Sequence, residues 1–288
     1  MMLITGATGR LGSNTIEFLL KRTPANNIAA LIRDITKSGD LKSWGIDVRT
    51  ADYDNRDALA RAFQGVNKLM LVSGSDVVNR LQQHKNVIDA AKKAGVTHII
   101  YTSIFHKNNR NSSIEAVVKS HIETEDYIKA SGLNYTIMLN TLYADMLPLF
   151  FGNDVLESGI FLPAGNGKAS FAARRDMAEA AACILTGEGH ENKEYVIANT
   201  KNYTMDDIAE VLSEIAGKKV QYLNPSREAF IETLAGTGVP EEIIFLTAGF
   251  SEAIKNGELE TTHTDFVNLT GREPITMEAF LRQVYSPS

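Results

Sequence analysis

The chain is 288 residues long, 44% hydrophobic, and carries a formal net charge of −6. That is enough apolar material to bury a sizeable core as one domain with a smaller lobe, and an acidic balance whose longest basic runs are Lys92–Lys93 and Lys218–Lys219 argues against a nucleic-acid partner. The lone Cys183, read as an inert thiol in a buried helix, leaves no disulfide framework and no cysteine-rich metal site; with no run of about 20 apolar residues and no leader-like start, a cytoplasmic location without a membrane partner is expected.

The first predicted element carries the most information. An apolar strand from Met2 runs straight into Gly6, Gly9 and Gly12, and a helix is predicted from about Arg10 to Lys21. Gly6 takes the tight turn, Gly9 lets the backbone approach a pyrophosphate, and Gly12 lets the helix sit against the strand. Free amides at the helix start, around Thr8, Arg10 and Leu11, then face the phosphates. The spacing is GxxGxxG, a departure from the familiar GxGxxG, yet the strand before it and the helix after it supply the context of a dinucleotide-binding turn.

Asn27 to Ile32 follows as a short strand, Lys37 to Trp44 as a weak helix, Ile46 to Ala51 as a third strand and Asp57 to Phe63 as a helix. Lys68 to Val72 is the fourth strand. A long helix, Val77 to Ala94, stops at Gly95, and His98 to Thr102 is the fifth strand. A helix around Ser113 to Ala130 ends near Gly132, and Tyr135 to Leu139 is the sixth strand. Repeated βαβ units with right-handed crossovers place these strands in one parallel sheet with helices on both faces. The expected class is therefore α/β, a doubly wound parallel sheet with a smaller C-terminal α/β lobe, divided at 1–145 and 146–288. The ligand crevice of such a sheet lies at the C-terminal ends of its strands, where the glycines, Arg33, Ser73, Ser103 and Asn140 fall.

Arg33 closes the second strand, where an adenosine ribose arrives. A carboxylate there suits NAD, whereas an arginine forks onto a 2′-phosphate and favours NADP(H). Lys37 adds a second positive charge, and Asp34 is the competing carboxylate for a ribose hydroxyl. Asp52 could meet the adenine amino group, although opening a turn is the commoner role of such an Asp. Ser73, Gly74 and Ser103 offer small size and hydroxyls to a passing dinucleotide; Tyr101 alternates with Ser103 and shares its face. His84 reads as an exposed helix position.

The stretches LITGATGRLGSNTIEFLL, AALIRD, VRTADYDNRDALARAFQGVNKLMLVSGS, QHKNVIDAAKKAGVTHIIYTS and HIETEDYIKASGLNYTIMLNTLY, with Arg175 to Ala178 and Thr270 to Pro274 later on, resemble the NmrA-like atypical short-chain dehydrogenase/reductase family over nearly the whole chain. The resemblance implies a Rossmann domain binding NADP(H) and a smaller substrate lobe. Within the family it is similar to bacterial NAD(P)H-dependent quinone oxidoreductases and triphenylmethane reductases.

In the family register, the Tyr-x-x-x-Lys of ketone-reducing members becomes Val117 and His121. A valine carries no proton, which argues against alcohol–ketone chemistry and against a sugar epimerase. A quinone or similar planar acceptor makes lighter demands, because its reduced anion is delocalised and placement against the nicotinamide supplies much of the catalysis. His121 is the catalytic candidate, at the nicotinamide ribose or at the oxygen of the reduced acceptor; the competing reading pairs it with Glu125 on the helix surface. Asn140 and Tyr143 resemble the substrate-side segment, with the tyrosine ring able to stack on a planar acceptor, while Leu139 stands where the family usually has an arginine. Met146 to Phe151, and the patch of Phe245, Leu246 and Phe250, are candidate acceptor walls; for the first run, a core or homodimer contact is an equal reading. A non-catalytic NADP-binding redox sensor is the alternative use of the same features. Beyond them, Ala173 to Thr186 is an alanine-rich helix, Glu194 to Ala198 a strand returning to the sheet, and Thr204 and Thr276 helix caps. No metal-ligand cluster and no hydrolase triad is legible.

Overall fold

The computed structural model describes residues 1–107, 111–152 and 154–286. Its centre is a seven-stranded, wholly parallel sheet. In chain order its strands are β1 (Met2–Ile4), β2 (Ile28–Ile32), β3 (Asp47–Thr50), β4 (Lys68–Leu71), β5 (His98–Ile104) and β6 (Asn134–Asn140). After three short strands, β7 (Leu142–Tyr143), β8 (Ile160–Phe161) and β9 (Ala169–Ala172), the chain returns with β10 (Lys193–Ile197). The spatial order is β10-β6-β5-β4-β1-β2-β3. Strand order reverses beside β1, which puts the topological switch point at the glycine turn. The strands are apolar because both faces are covered: every residue of β2 is buried, as are the first six of β5.

The covering helices are α1 (Arg10–Leu20), α2 (Gly39–Ser43), α3 (Arg56–Ala62), α4 (Arg80–Ala94) and α5 (Glu115–Ala130). Gly95 closes α4 in the left-handed region at φ 80°, as a C-terminal glycine should. The long helix starts at Arg80, three residues later than the sequence suggests, because Asp76 caps Asn79 through its backbone N–H at 3.1 Å and so forms a turn first.

The later helix Arg174–Thr186 packs on α1. Ala178, Ala180, Ala181 and Ala182 are fully buried there, and their small side chains permit the close approach. Its first turn is anchored from the C-terminal segment, where the Arg272 guanidinium donates to Asp176 Oδ1 and Glu179 Oε2, both at 2.6 Å. β10 pairs in parallel with β6, as the returning strand near 194–198 predicts. Cys183 is half-buried rather than deep in the core, and burial pushes its thiol up.

The C-terminal lobe adds a three-stranded sheet of β7, β9 and β11 (Asn202–Tyr203), and a pair of β8 with β12 (Tyr222–Leu223). Leu147, Phe150 and Phe151 are buried in its core, and the Phe150 and Phe250 rings lie 6.0 Å apart. Leu147, Phe150, Phe151 and Phe250 are therefore core, a correction to their reading as acceptor walls, whereas Met146, Pro148 and Leu149 line a cleft: the aromatic rings bury area against each other. Leu149 and Phe245 stay exposed. Thr204 forms a full capping box with Asp207, and Thr276 accepts from the Ala279 N–H at 3.1 Å.

Candidate functional site

The glycine turn is built by exclusion of side chains. Gly6 sits at φ 58°, and a Cβ on Gly12 would stand 2.4 Å from the Gly6 carbonyl oxygen and 2.9 Å from its carbon. Only a glycine lets α1 start this close to β1. The Gly9 N–H closes the turn on Gly6 O at 2.9 Å, and the Ser13 N–H makes the first helical bond to Gly9 O. The amides of Arg10, Leu11 and Gly12 thus precede that bond, with no acidic side chain in the turn, a setting suited to phosphate. Thr8 and Arg10 are exposed on the rim, and the Leu11 side chain packs inward.

At the far end of the crevice, the exposed Arg33 and Lys37 side chains make no hydrogen bond or ion pair among the described residues. Asp34 is committed. Its Oδ1 accepts from Thr36 N–H at 3.0 Å and Thr36 Oγ1 at 2.6 Å, which holds its carboxyl below the usual range. The competing carboxylate is a cap, and the basic pair is left to meet an anion. Asp52 accepts from the Asp54 N–H at 3.0 Å, the turn role weighed in the sequence.

The floor behind β4 is a buried polar network. Ser73 N–H donates to Thr102 Oγ1 at 2.9 Å, Gly74 N–H to His84 Nε2 at 3.2 Å, and Arg80 Nε to Gly74 O at 2.9 Å. Because His84 Nε2 accepts from an amide, it is unprotonated; Nδ1 carries the proton and donates to Thr124 Oγ1 at 3.1 Å, which in turn donates to Ser120 O. His84 is fully buried, a correction to its reading as an exposed position, and burial with the Arg80 charge beside it lowers its pKa to about 3. The Ser73–Gly74 backbone is held by this network.

Ser103 is 2% exposed, and its hydroxyl donates to Glu125 Oε1 on α5 at 2.5 Å. His121 is buried too. Its Nδ1 lies 2.7 Å from Tyr101 Oη and 3.4 Å from Ser103 Oγ. His121 and Glu125 are therefore not a surface pair: both point under the sheet end, with Ser103 between them. Burial, then the Arg80 charge, hold His121 well below its ordinary pKa, so the imidazole is neutral.

Asn140, at the end of β6, is 1% exposed, and neither its Oδ1 nor its Nδ2 has a hydrogen-bond partner. A buried amide in this state costs about 1–3 kcal/mol per lost partner, and its polar neighbour is the Tyr143 side chain. Asn140→Ala is accordingly expected to leave the free protein within ~1 kcal/mol of its present stability, because the lost volume and the lost orphan atoms offset each other, while dinucleotide affinity falls about tenfold. Chemical denaturation set beside a fluorescence titration measures both; a large destabilisation with unchanged affinity would contradict the assignment.

Beyond Asn140, Tyr143 is half-buried with the Arg174 guanidinium 4.7 Å over its ring, so one of its faces is taken. Asp145 binds the Arg174 N–H at 2.8 Å and lies 4.0 Å from Arg10. Arg10, Asp145 and Arg174, with Met146, Leu149 and Phe280, line an open cleft of about 580 Å³ that reaches the start of α1.

Arg80, His84, Glu125 and His106 were not picked out as functional by their residue types. A signal for three of them was present in the spacing. Arg80 and His84 share one stripe of α4 with Val87, Ile88 and Ala91, and Glu125 lies on the stripe of Val118, Ile122 and Ile128 in α5. A polar residue on an apolar stripe is either satisfied inside or it destabilises the helix packing.

His84 also makes a pH prediction. Its folded pKa lies below that of an unfolded histidine, so the unfolded chain binds the extra proton and stability is lost as pH falls from about 6.5 towards 3. His84→Gln keeps an acceptor for Gly74 and is expected to flatten the stability slope by about one proton, ~1.4 kcal/mol per pH unit between pH 6 and 4. Urea midpoints at several pH values check this; an unchanged slope would refute a neutral buried His84.

The parallel sheet, the glycine turn at its switch point and the uncommitted basic pair after β2 define a Rossmann-type dinucleotide-binding protein. The sequence profile of the NmrA-like family matches residues 1–281, and the chain belongs to that family. It is 38% identical over 287 residues to quinone oxidoreductase 2 of Escherichia coli K12, covering 99% of both chains. Among solved structures it is similar to an Escherichia coli NADPH-dependent quinone oxidoreductase in complex with NADPH, with a TM-score of 0.92, 36% identity and coverage of 99% of this chain and 100% of that one. It is also similar to a Citrobacter sp. triphenylmethane reductase in complex with NADP(H), with a TM-score of 0.91, 37% identity and coverage of 98% and 99%. No helix among the described residues is long and apolar enough to cross a membrane.

Proposed function

We propose that this protein is an NADPH-dependent oxidoreductase that reduces a quinone or a similar planar acceptor in the cytoplasm. The observation that carries the reading is the pairing of a side-chain-free glycine turn with Arg33 and Lys37, both uncommitted, at the two ends of one crevice. NADP(H) fits these residues: the α1 amides suit the pyrophosphate, the basic pair the 2′-phosphate, and the orphaned Asn140 amide a polar edge of the dinucleotide. When bound, NADPH supplies a hydride.

The chain's own part is placement and exclusion of water. With 1–145 as the dinucleotide-binding domain and 146–288 as the substrate lobe, the acceptor enters the cleft lined by Arg10, Asp145, Met146 and Arg174, next to the Tyr143 ring that Arg174 covers. Val117 offers no proton, so the acceptor must be one whose reduced form is already a stabilised anion or a neutral product. The relatives named for quinone and triphenylmethane reduction support this reading, as does their full-length coverage.

The test is NADPH oxidation followed at 340 nm with a panel of quinones, beside binding titrations of NADPH and NADH. Acceptor-dependent oxidation is expected, with NADPH preferred. Tight NADPH binding without oxidation by any acceptor would favour the sensor reading, and failure to bind either dinucleotide would overturn both.

A further inference from the structure

The open cleft beside the start of α1 is chemically uneven. Met146, Leu149 and Phe280 give it apolar walls, while Arg10 and Arg174, the first residues of their helices, put two guanidinium groups on it. Asp145 also lines it, and that carboxylate is partly engaged. Its Oδ2 accepts from the Arg174 backbone N–H at 2.8 Å, and its Oδ1 stands 4.0 Å from the Arg10 guanidinium, an exposed pair of little worth. The Arg174 guanidinium lies 4.7 Å over the Tyr143 ring, and among the described residues its one hydrogen bond goes to Met146 Sδ at 3.2 Å, a weak acceptor. A planar fork of N–H donors matches a carboxylate or sulfonate, yet here it meets a thioether. Two cations against one anion leave the cleft positive in a chain whose net charge is −6.

We propose that Arg174, assisted by Arg10, holds an anionic substituent on the planar acceptor, a carboxylate or sulfonate, and so selects acidic acceptors over neutral ones of similar size. The proposal rests on the function proposed above. An exposed ion pair is weak because two long side chains must be ordered to make it. Arg174 escapes much of that cost: it is half-buried and already set by the Tyr143 ring and Met146, so the ordering is done before the acceptor arrives. The ring system of such an acceptor lies against Met146, Leu149 and Phe280, with its acid group at the guanidinium. Asp145 repels the same group, which gives a variant of opposite sign.

The experiment compares 1,4-naphthoquinone-2-sulfonate with 2-methyl-1,4-naphthoquinone as oxidants of NADPH and reads the ratio of their kcat/KM values, in which a general loss of activity cancels. Arg174→Met keeps an unbranched stem over Tyr143 and removes the charge. The ratio is expected to fall about tenfold, the size of one charge-assisted hydrogen bond, with Arg174→Lys in between and Asp145→Asn above wild type. A second arm titrates naphthalene-2-sulfonate, which accepts no hydride, into the protein saturated with NADP⁺, so that the dinucleotide's own phosphates are already in place. Its affinity is expected to fall with the ratio. Either quantity within twofold of wild type in Arg174→Met, or a loss confined to NADPH binding, would overturn the proposal and leave the oxidoreductase reading standing. A wild type that oxidises no NADPH with any quinone would overturn that reading, and the selection of acceptors with it, whatever the sulfonate titration gives.

Discussion

Gly12→Ala is expected to weaken NADPH binding by about 100-fold or more in a protein that still folds. The added Cβ would lie 2.4 Å from Gly6 O and 3.0 Å from Ala7 Cα, both backbone atoms with nowhere to go. The start of α1 must therefore retreat from β1, and its free amides leave the phosphates. Two charge-assisted hydrogen bonds at ~1.5–3 kcal/mol each account for a loss of that size. Gly9→Ala supplies the comparison: its Cβ would meet the same carbonyl oxygen at 3.3 Å, a distance that a small shift relieves, so a loss below about tenfold is expected. Fluorescence titration with NADPH, alongside circular dichroism melting, gives both numbers. Affinity within threefold of wild type for a folded Gly12→Ala would contradict the placement of the pyrophosphate.

Arg33→Asp is expected to lower the NADPH-to-NADH preference by about two orders of magnitude. The substitution removes a guanidinium with no partner inside the protein and puts a negative charge where a 2′-phosphate would lie. Loss of one charge-assisted contact plus like-charge repulsion amounts to ~2–4 kcal/mol, with 1.4 kcal/mol per tenfold. NADH affinity should hold or improve, since an aspartate can accept from the ribose 2′-hydroxyl. Lys37→Ala should move the preference in the same direction by a smaller factor. The readout is the pair of dissociation constants in each variant; an unchanged ratio in Arg33→Asp would remove Arg33 from the cofactor site. The Asp34 carboxylate is engaged by Thr36 through Oδ1.

These two predictions rest on features legible in one dimension. A glycine every third residue after an apolar strand specifies a backbone shape, and a basic residue at the end of the next strand specifies a charge; neither depends on which distant segment packs nearby. The alternation of strands and helices is equally local, which is why the predicted elements of the first half recur within a few residues and β10 returns where expected. The exposed setting of His84, the surface pairing of His121 with Glu125 and the outward hydroxyl of Ser103 depended on partners that spacing does not name. His84 meets Thr124 forty residues on, and Ser103 meets Glu125 across the packing of α5 on the sheet. The apolar 146–151 run was ambiguous for a related reason: a hydrophobic stretch states that it is buried, not against what.

By itself, then, the sequence determined this protein's parallel sheet, its glycine turn without side chains, and its basic pair after the second strand. Its acceptor chemistry was open, because Val117 states only what is missing. Tertiary structure decided how the helix that carries it is surrounded. Packing α4 and α5 against the ends of β4, β5 and β6 buries Arg80, His84, His121 and Glu125 together, and in that low-dielectric setting each must find a partner or change its charge. The result is a neutral His121 held against Tyr101 and Ser103, with Ser103 bound to Glu125, an arrangement that no single segment encodes.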